Sequence, residues 1–301
     1  MDETIYQAYK QAGHIAKEAR DYGASLLKPN TTYLQIATAI EARIQERGGR
    51  PAFPVNIACN SLAAHYTPTY NDTMTIKPGD VVKLDVGVHI NGYIADTAVT
   101  VEVATHKHDA LIKASSDALD AAIAHMKPNI PPSDIGRLVE ETITSQGFKP
   151  IENLMGHSIT QYELHSGLSI PNIATYVSRG RPHEGDVIAI EPFATTGSGR
   201  VVSGEGSNIY LCADSLKTRF IRDRALRLLY DRIHTRFTTL SFASRWCHPF
   251  LPQGSSDLPL RRLARLGVIK EYPQFREERD GMVAQREHTV IITKDGCEVI
   301  T

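Results

Sequence analysis

The sequence predicts a mixed α/β (α+β) protein made of two related halves, and three observations carry that prediction. Apolar periodicity gives the order helix, helix, strands, helix, helix before strands return. A Gly-Asp turn, an apolar strand and a carboxylate occur together twice, as Gly79-Asp80-Val81-Val82-Lys83-Leu84-Asp85 and as Gly185-Asp186-Val187-Ile188-Ala189-Ile190-Glu191. The length of 301 residues, with 42% hydrophobic and 22% charged, suits a globular chain with a substantial core.

Residues 4 to 27 place Ile5, Ala8, Ala12, Ile15, Ala16, Ala19 and Leu26 at helical spacing, and Lys28-Pro29 stops the run. A second helix follows Asn30-Thr31-Thr32, with Leu34, Ala37, Ile40 and Ile44 on one stripe and Gly48-Gly49 closing it. PAFPVNIACNSLAAHYTP (51–68) then reads as a strand entering an irregular loop that presents His65. Next comes KLDVGVHINGYIADTAVTV (83–101), in which Asn91-Gly92 is the preferred pair for a two-residue type I′ turn. With that turn Ile90 faces Tyr93, Gly87 faces Asp96 and Asp85 faces Ala98. Asp85 and Asp96 are then diagonal neighbours on one face, roughly 7–8 Å apart, with Gly87 leaving the space between them open. Two such charges call for a cation between them, or else they sit on a solvated outer face. Residues 109–126 and 133–146 give two further helices, ended by Lys127-Pro128 and by Gly147.

The repeat extends to a second pair of strands. Asp96-Thr97-Ala98-Val99-Thr100-Val101 resembles Glu287-His288-Thr289-Val290-Ile291-Ile292, each an acid opening a β-branched run. The second half adds His157, which follows Gly156, and His165 in Glu163-Leu164-His165-Ser166-Gly167. Pro192 biases Glu191 towards an extended conformation at the end of its strand. A lone histidine is usually a core residue. Two Asp, two Glu and one to three His on a duplicated framework suit two divalent cations bridged by carboxylates and a water.

The formal net charge of −1 gives no global reason to expect nucleic acid or an acidic membrane surface as the main partner. The first twenty residues are charged and amphipathic, so they read as neither signal peptide nor membrane span, and the expected location is cytoplasmic. Cys59, Cys212, Cys247 and Cys297 are scattered without a CxxC pair, which argues against a disulfide framework and a zinc knuckle.

The segments AFPVNIACNSLAAHYTP, KLDVGVHINGYIADTAVTV, NLMGHSI, LHSGLSIPN, AIEPFAT and AQREHTVIIT together resemble type 2 methionine aminopeptidases in the short form typical of archaea. The resemblance runs essentially end to end. It implies a pita-bread fold, with Asp85, Asp96, His157, Glu191 and Glu287 as ligands of two divalent metal ions and Asp96 and Glu287 shared between them. Co²⁺, Mn²⁺ or Fe²⁺ are the favoured ions, with Zn²⁺ a further candidate. By resemblance Glu191 also accepts a proton, while His65 and His165 position the scissile amide and stabilise the tetrahedral intermediate. Phe53, Leu164 and Phe193 would line the methionine pocket, or else be ordinary core residues beside it. The implied substrate is the N-terminal methionine of nascent polypeptides, removed when the second residue is small. Neither a membrane nor sequence-specific nucleic acid is expected as a partner.

The interval from Gly197 to Asp280 resembles the helical insert of type 2 enzymes, giving a catalytic domain of residues 1–197 and 274–301 and an inserted subdomain of residues 198–273. Thr218 to Phe242 and Leu258 to Leu266 are helical in pattern, while Gly254-Ser255-Ser256 and Tyr272-Pro273 punctuate the interval. Its arginines, Arg219, Arg222, Arg224, Arg227, Arg232, Arg236, Arg261, Arg262 and Arg265, form either a solvated face or a contact with ribosomal RNA near emerging chains. Arg286 departs from the aromatic residue expected before Glu287 and should face away from the metals. Two other readings compete. One is an Xaa-Pro peptidase of the same fold, disfavoured because the chain begins directly with the catalytic half. The other is a non-catalytic binding scaffold, disfavoured because no ligand position is lost.

Overall fold

A computed structural model describes residues 1–175, 180–213, 215–251 and 257–301. The break expected at Gly254-Ser255-Ser256 lies outside these residues. No described helix is long and apolar enough to cross a membrane.

The first half opens with α1 (Glu3–Leu26) and α2 (Tyr33–Glu46). Thr32 and Gln35 form a reciprocal capping box at the start of α2, which satisfies two backbone amides that the helix itself leaves unpaired. The two helices cover a sheet of β1 (Arg50–Pro51), β2 (Asn56–Cys59), β4 (Val81–Ile90) and β5 (Tyr93–Glu102), and β3 (Leu62–Ala64) turns away to join another sheet. The β4–β5 register is the one expected: Ile90 opposite Tyr93, Gly87 opposite Asp96 and Asp85 opposite Ala98. The helices α3 (Asp109–His125) and α4 (Pro132–Ser145) lead to the second half.

That half repeats the plan with β6 (Lys149–Pro150), β7 (Met155–Ile159), β8 (Ser169–Pro171), β9 (Val187–Ile190) and β10 (Phe193–Thr195). The chain next forms β11 (Val201–Cys212), α5 (Arg224–Phe237), β12 (Phe242–Ala243), α6 (Ser244–Cys247), α7 (Leu258–Arg265) and β13 (Ile269–Glu277). It returns through β14 (Val283–Gln285), β15 (His288–Ile292) and β16 (Cys297–Val299). Two sequence expectations for the interval change. The helical pattern running to Phe242 stops at Phe237, because Thr238 takes a left-handed conformation (φ 54°) and Phe242 pairs with Tyr210 in a sheet. Tyr272-Pro273 is no break either. Pro273 sits inside β13 opposite Gly206, where the ladder is irregular and a missing amide is tolerated.

Registers expose the duplication. Arg50 pairs with His89 as Lys149 pairs with Thr195, and Ala58 pairs with Lys83 as His157 pairs with Ala189. The β9–β15 ladder, with His288 opposite Ile190, and the β10–β14 ladder, with Gln285 opposite Phe193, share one register broken only at Glu191-Pro192 and Arg286-Glu287. Pro192 has no amide to give there. Asp85 and Glu191 are equivalent, as their sequences suggest. The second match is displaced by two residues: Ala98 lies opposite Asp85, so Ala98 corresponds to Glu287 and Asp96 to Gln285.

The two halves meet edge to edge through β5. Ala98 and Glu287 exchange backbone hydrogen bonds (3.4 and 3.1 Å). On either side of that bridge a threonine hydroxyl spans the widening gap: Thr289 accepts from Asp96 N and donates to Asp96 O (both 2.8 Å), and Thr100 does the same for Gln285 (2.8 and 2.7 Å). This junction covers the face of β4 that carries Lys83, Asp85 and Gly87. Lys83 is 1% exposed and Asp96 3% exposed, so the solvated-face reading of the hairpin fails. The Lys83 ammonium is met by the Asn60 carbonyl at 2.6 Å, and burial holds its pKa down to about 7.

Candidate active site

Asp85 and Asp96 project from the β4–β5 hairpin into the junction, but the space above Gly87 is not open. The ring of Phe53 fills it, and a Cβ built on Gly87 would lie 2.1 Å from Phe53 Cε1. The glycine therefore admits an aromatic wall rather than a void. Gly156 serves a different close approach, since its Cβ would lie 2.3 Å from the Ala189 carbonyl oxygen, and this lets β7 bring His157 against β9.

His157 Nε2 stands 3.7 Å from Asp96 Oδ2 and 3.7 Å from Glu191 Oε1. Ligand-capable atoms of Asp96, His157 and Glu287 lie within 4.8 Å of one another, and all three residues are buried. Two residues that sequence reading left without a role hold this group in place. Asn172 donates to the carbonyl oxygens of Leu154 (3.0 Å) and Glu191 (3.3 Å). Gln285, anchored by Thr100, donates from Nε2 to Glu287 Oε2 at 3.2 Å. Arg286, between Gln285 and Glu287, turns to the other face, where Asp21 and Asp120 act on it, as the alternation of strand side chains requires.

The carboxylates crowd one another. Burial, followed by mutual repulsion, pushes the pKa values of Asp96, Glu191 and Glu287 well above the ordinary carboxylate range, and burial raises that of Asp85. His157 cannot neutralise them, since burial and then its neighbour His165 bring its pKa down to about 3. Asp85 Oδ1, Asp96 Oδ1 and Glu287 Oε1 are buried and have no hydrogen-bond partner among the described residues. Orphaned acceptors facing one another, with one neutral imidazole, form a donor set suited to divalent cations that prefer oxygen and nitrogen to thiolate.

A cavity of ≈ 270 Å³ opens from these residues. The five expected ligands, His65, His165, Phe53, Leu164 and Phe193 all line it. His65 sits in a left-handed conformation (φ 62°) just beyond β3, with Nδ1 3.3 Å from the Pro273 carbonyl oxygen and its ring against Tyr272 and Phe275. Burial lowers its pKa to about 4. A neutral imidazole whose Nδ1–H donates to that carbonyl presents Nε2 as an acceptor. The loop bearing Leu164 and His165 is tied down from two sides. Tyr162 N donates to Gly92 O (2.8 Å) at the hairpin turn, and Thr239 Oγ1 donates to Tyr162 O (2.5 Å). His165 stacks edge-on to His157 with ring centroids 4.3 Å apart.

Asn56, Met155, Ile209, Tyr272 and Phe275 also line the cavity and were not anticipated. The last three come from the long interval, and they reach the site because Phe275 pairs with Ala64 across the β13–β3 ladder. No local signal announces so distant a pairing. For Asn56 the signal was available in principle, since it stands opposite Asp85.

Residues 7–294 match metallopeptidase family M24. The chain belongs to that family. Family membership carries with it the use of divalent metal, to which the buried carboxylate and histidine cluster corresponds. Within the family the chain is similar to archaeal proteins: it is 44% identical over 306 residues to a methionine aminopeptidase of Thermococcus kodakarensis and 44% identical over 301 residues to one of Methanocaldococcus jannaschii, covering 100% of both chains in each case. The fold recurs at lower identity. A thermophilic Arx1 superposes with a TM-score of 0.83 at 18% identity, covering 100% of this chain and 91% of the other. A methionine aminopeptidase of Thermotoga maritima gives 0.71 at 22%, covering 100% and 98%. A prolidase of Pyrococcus furiosus gives 0.65 at 17%, covering 100% of this chain and 64% of the other.

Proposed function

We propose that the chain is a methionine aminopeptidase, a metal-dependent hydrolase that removes the N-terminal methionine of nascent proteins and peptides when the second residue is small. The observation that carries this reading is the buried group of Asp96, His157 and Glu287, with the half-buried carboxylates of Asp85 and Glu191 lining the same aromatic-walled cavity of ≈ 270 Å³. Similarity to archaeal methionine aminopeptidases over the whole chain supports it. Two divalent ions, Mn²⁺, Fe²⁺ or Co²⁺, with Zn²⁺ a further candidate, would be held by Asp85, Asp96, His157, Glu191 and Glu287. Bound there, they supply positive charge that polarises the scissile carbonyl and makes water a nucleophile near neutral pH.

The chain's own groups do the rest. Glu191, by resemblance, takes the proton released by the attacking water. His65 accepts the scissile N–H at Nε2, since its other nitrogen is occupied by the Pro273 carbonyl. His165 meets the carbonyl oxygen as negative charge develops on it. Phe53, Leu164 and Phe193 exclude water around the thioether side chain, and the following residue must be small to pass beneath His65 and His165. The deciding experiment incubates metal-loaded protein with Met-Gly and Ala-Pro peptides, with and without a chelator. Methionine release that chelation abolishes is expected. Proline-dependent cleavage would instead mark an Xaa-Pro peptidase, and no cleavage with any ion a binding scaffold.

We also propose that residues 198–273 form an inserted subdomain on a catalytic domain of residues 1–197 and 274–301. An apolar cluster that includes Tyr210, Leu226, Leu229, Ile233, Phe242, Leu260 and Leu263 supports it, since all of these lie within the interval. Its surface carries exposed Arg219, Arg222, Arg224, Arg232, Arg236, Arg261 and Arg265, whereas Arg227 is tied to the Thr218 and Ile221 carbonyls and Arg262 to Asp223. The exposed group is proposed to contact ribosomal RNA while the enzyme works in the cytoplasm. Ribosome co-sedimentation unchanged after replacing those arginines by glutamine removes the idea.

A further inference from the structure

Asn56 stands opposite Asp85 on the neighbouring strand, lines the cavity and is 5% exposed. Its Nδ2 donates to the Pro54 carbonyl at 3.0 Å, which settles which way the amide points. The other atom, Oδ1, is buried without a hydrogen-bond partner among the described residues. A buried carbonyl oxygen left this way carries a desolvation penalty that a ligand bringing a donor removes. The position equivalent to Asn56 in the second half is Met155, next to Glu191 in register. At this pair of equivalent positions, then, the first half carries an amide acceptor and the second a thioether.

Chemistry narrows what the acceptor takes. In the aminopeptidase reading, on which this inference rests, the thioether lies among Phe53, Leu164 and Phe193 and offers no donor. The scissile carbonyl is itself an acceptor, and the scissile N–H falls to His65. The attacking water gives its proton to Glu191, so among the substrate's own groups the donors that remain belong to the free α-amino group. We propose that Asn56 Oδ1 accepts an N–H of the substrate's α-amino group and so makes Asn56 a specificity residue for an unblocked N-terminus. Being uncharged, Asn56 recognises the amine without adding to the negative charge beside Asp85.

The test uses metal-loaded enzyme and two non-hydrolysable probes, L-methioninol and its des-amino counterpart 4-(methylthio)butan-1-ol, titrated by calorimetry. Asn56→Leu is expected to weaken methioninol binding roughly 10- to 100-fold, the worth of one buried hydrogen bond, and to leave the des-amino alcohol unaffected. Asn56→Ser, a smaller change that guards against a folding failure, should show the same selective loss. In both variants KM for a Met-Gly peptide should rise more than kcat falls, and metal stoichiometry should stay as in the parent. Equal weakening of both probes, unchanged methioninol affinity in both variants, or loss of bound metal overturns the proposal. If the parent enzyme binds neither probe, the aminopeptidase reading falls and takes this proposal with it.

Discussion

The two halves of the molecule share one ladder plan but fill it differently. Equivalent positions hold Asp85 and Glu191, Ala58 and His157, Asp96 and Gln285, Ala98 and Glu287, and Lys83 and Ala189. Only the first pair is a carboxylate in both halves. Backbone symmetry therefore builds the junction, and side-chain asymmetry gives it direction: the first half offers two aspartates and the amide of Asn56, the second two glutamates, an imidazole and the amide of Gln285. Ala98 explains why this works. Across the central bridge a small residue faces Glu287, so the longer side chain has room to reach the cluster.

The largest expected effect comes from removing Asp96, one of the two carboxylates, with Glu287, that have no acidic counterpart in the other half. Asp96→Ala should lower kcat/KM at least about 10³-fold, on the order of 4 kcal/mol in the barrier, because an acid proposed to serve both ions is gone. Circular dichroism and the unfolding midpoint should stay near the parent or improve, since the variant also relieves repulsion among buried acids. Retained activity would show that Asp96 does not hold metal.

Glu277 gives the next effect, this time on stability. The carboxylate is 1% exposed and accepts from Ser198 N and Oγ, Gly199 N, Arg279 N and Gly281 N, clamping the loop after β10 to the turn before β14. Replacing it by alanine leaves the buried Gly199 amide and the less buried Ser198, Arg279 and Gly281 amides without their acceptor and should cost about 3–4 kcal/mol in urea unfolding. A loss below 1 kcal/mol would mean that water satisfies those amides equally well.

Gln285 tests the asymmetry more gently. It occupies the place that Asp96 holds in the first half, yet it contributes a donor to Glu287. Gln285→Leu should weaken metal binding measured by calorimetry by roughly 10- to 100-fold, the usual cost of losing a group that orients a ligand. Unchanged affinity would make Gln285 a packing residue.

The helices, the hairpin register and the cluster of acids and histidines were legible because each is written in local pattern: helical spacing, Asn91-Gly92, and carboxylates at fixed offsets from Gly-Asp turns. What escaped depends on pairings between distant segments. The two-residue offset of the repeat is a matter of hydrogen-bond register, which similar strings of β-branched residues do not encode. Phe53 over Gly87, Tyr272 and Phe275 around His65, and Gln285 on Glu287 arise only when the halves and the long interval close on one another.

The smallest effect concerns the first half's own carboxylate clamp, and pH gives it a signature. Glu102 ends β5 and accepts from the Thr105 hydroxyl, Lys107 N (3.0 Å) and His108 N (2.6 Å), shaping the turn into α3. Burial acts to raise its pKa, but the hydrogen bonds from Thr105, His108 and Lys107 together outweigh that and bring it down to about 2. A carboxyl depressed on folding stabilises the native state fully above its unfolded pKa of about 4.3, and that contribution is lost as pH falls through the folded value. Glu102→Gln should therefore cost about 1–2 kcal/mol between pH 6 and 8, read from urea midpoints. The deficit should shrink steadily from about pH 4 towards pH 2, where the parent also carries a neutral group. A deficit that stays constant across that range would mean that shape rather than charge holds the turn, and would set Glu102 apart from its more deeply buried counterpart, Glu277.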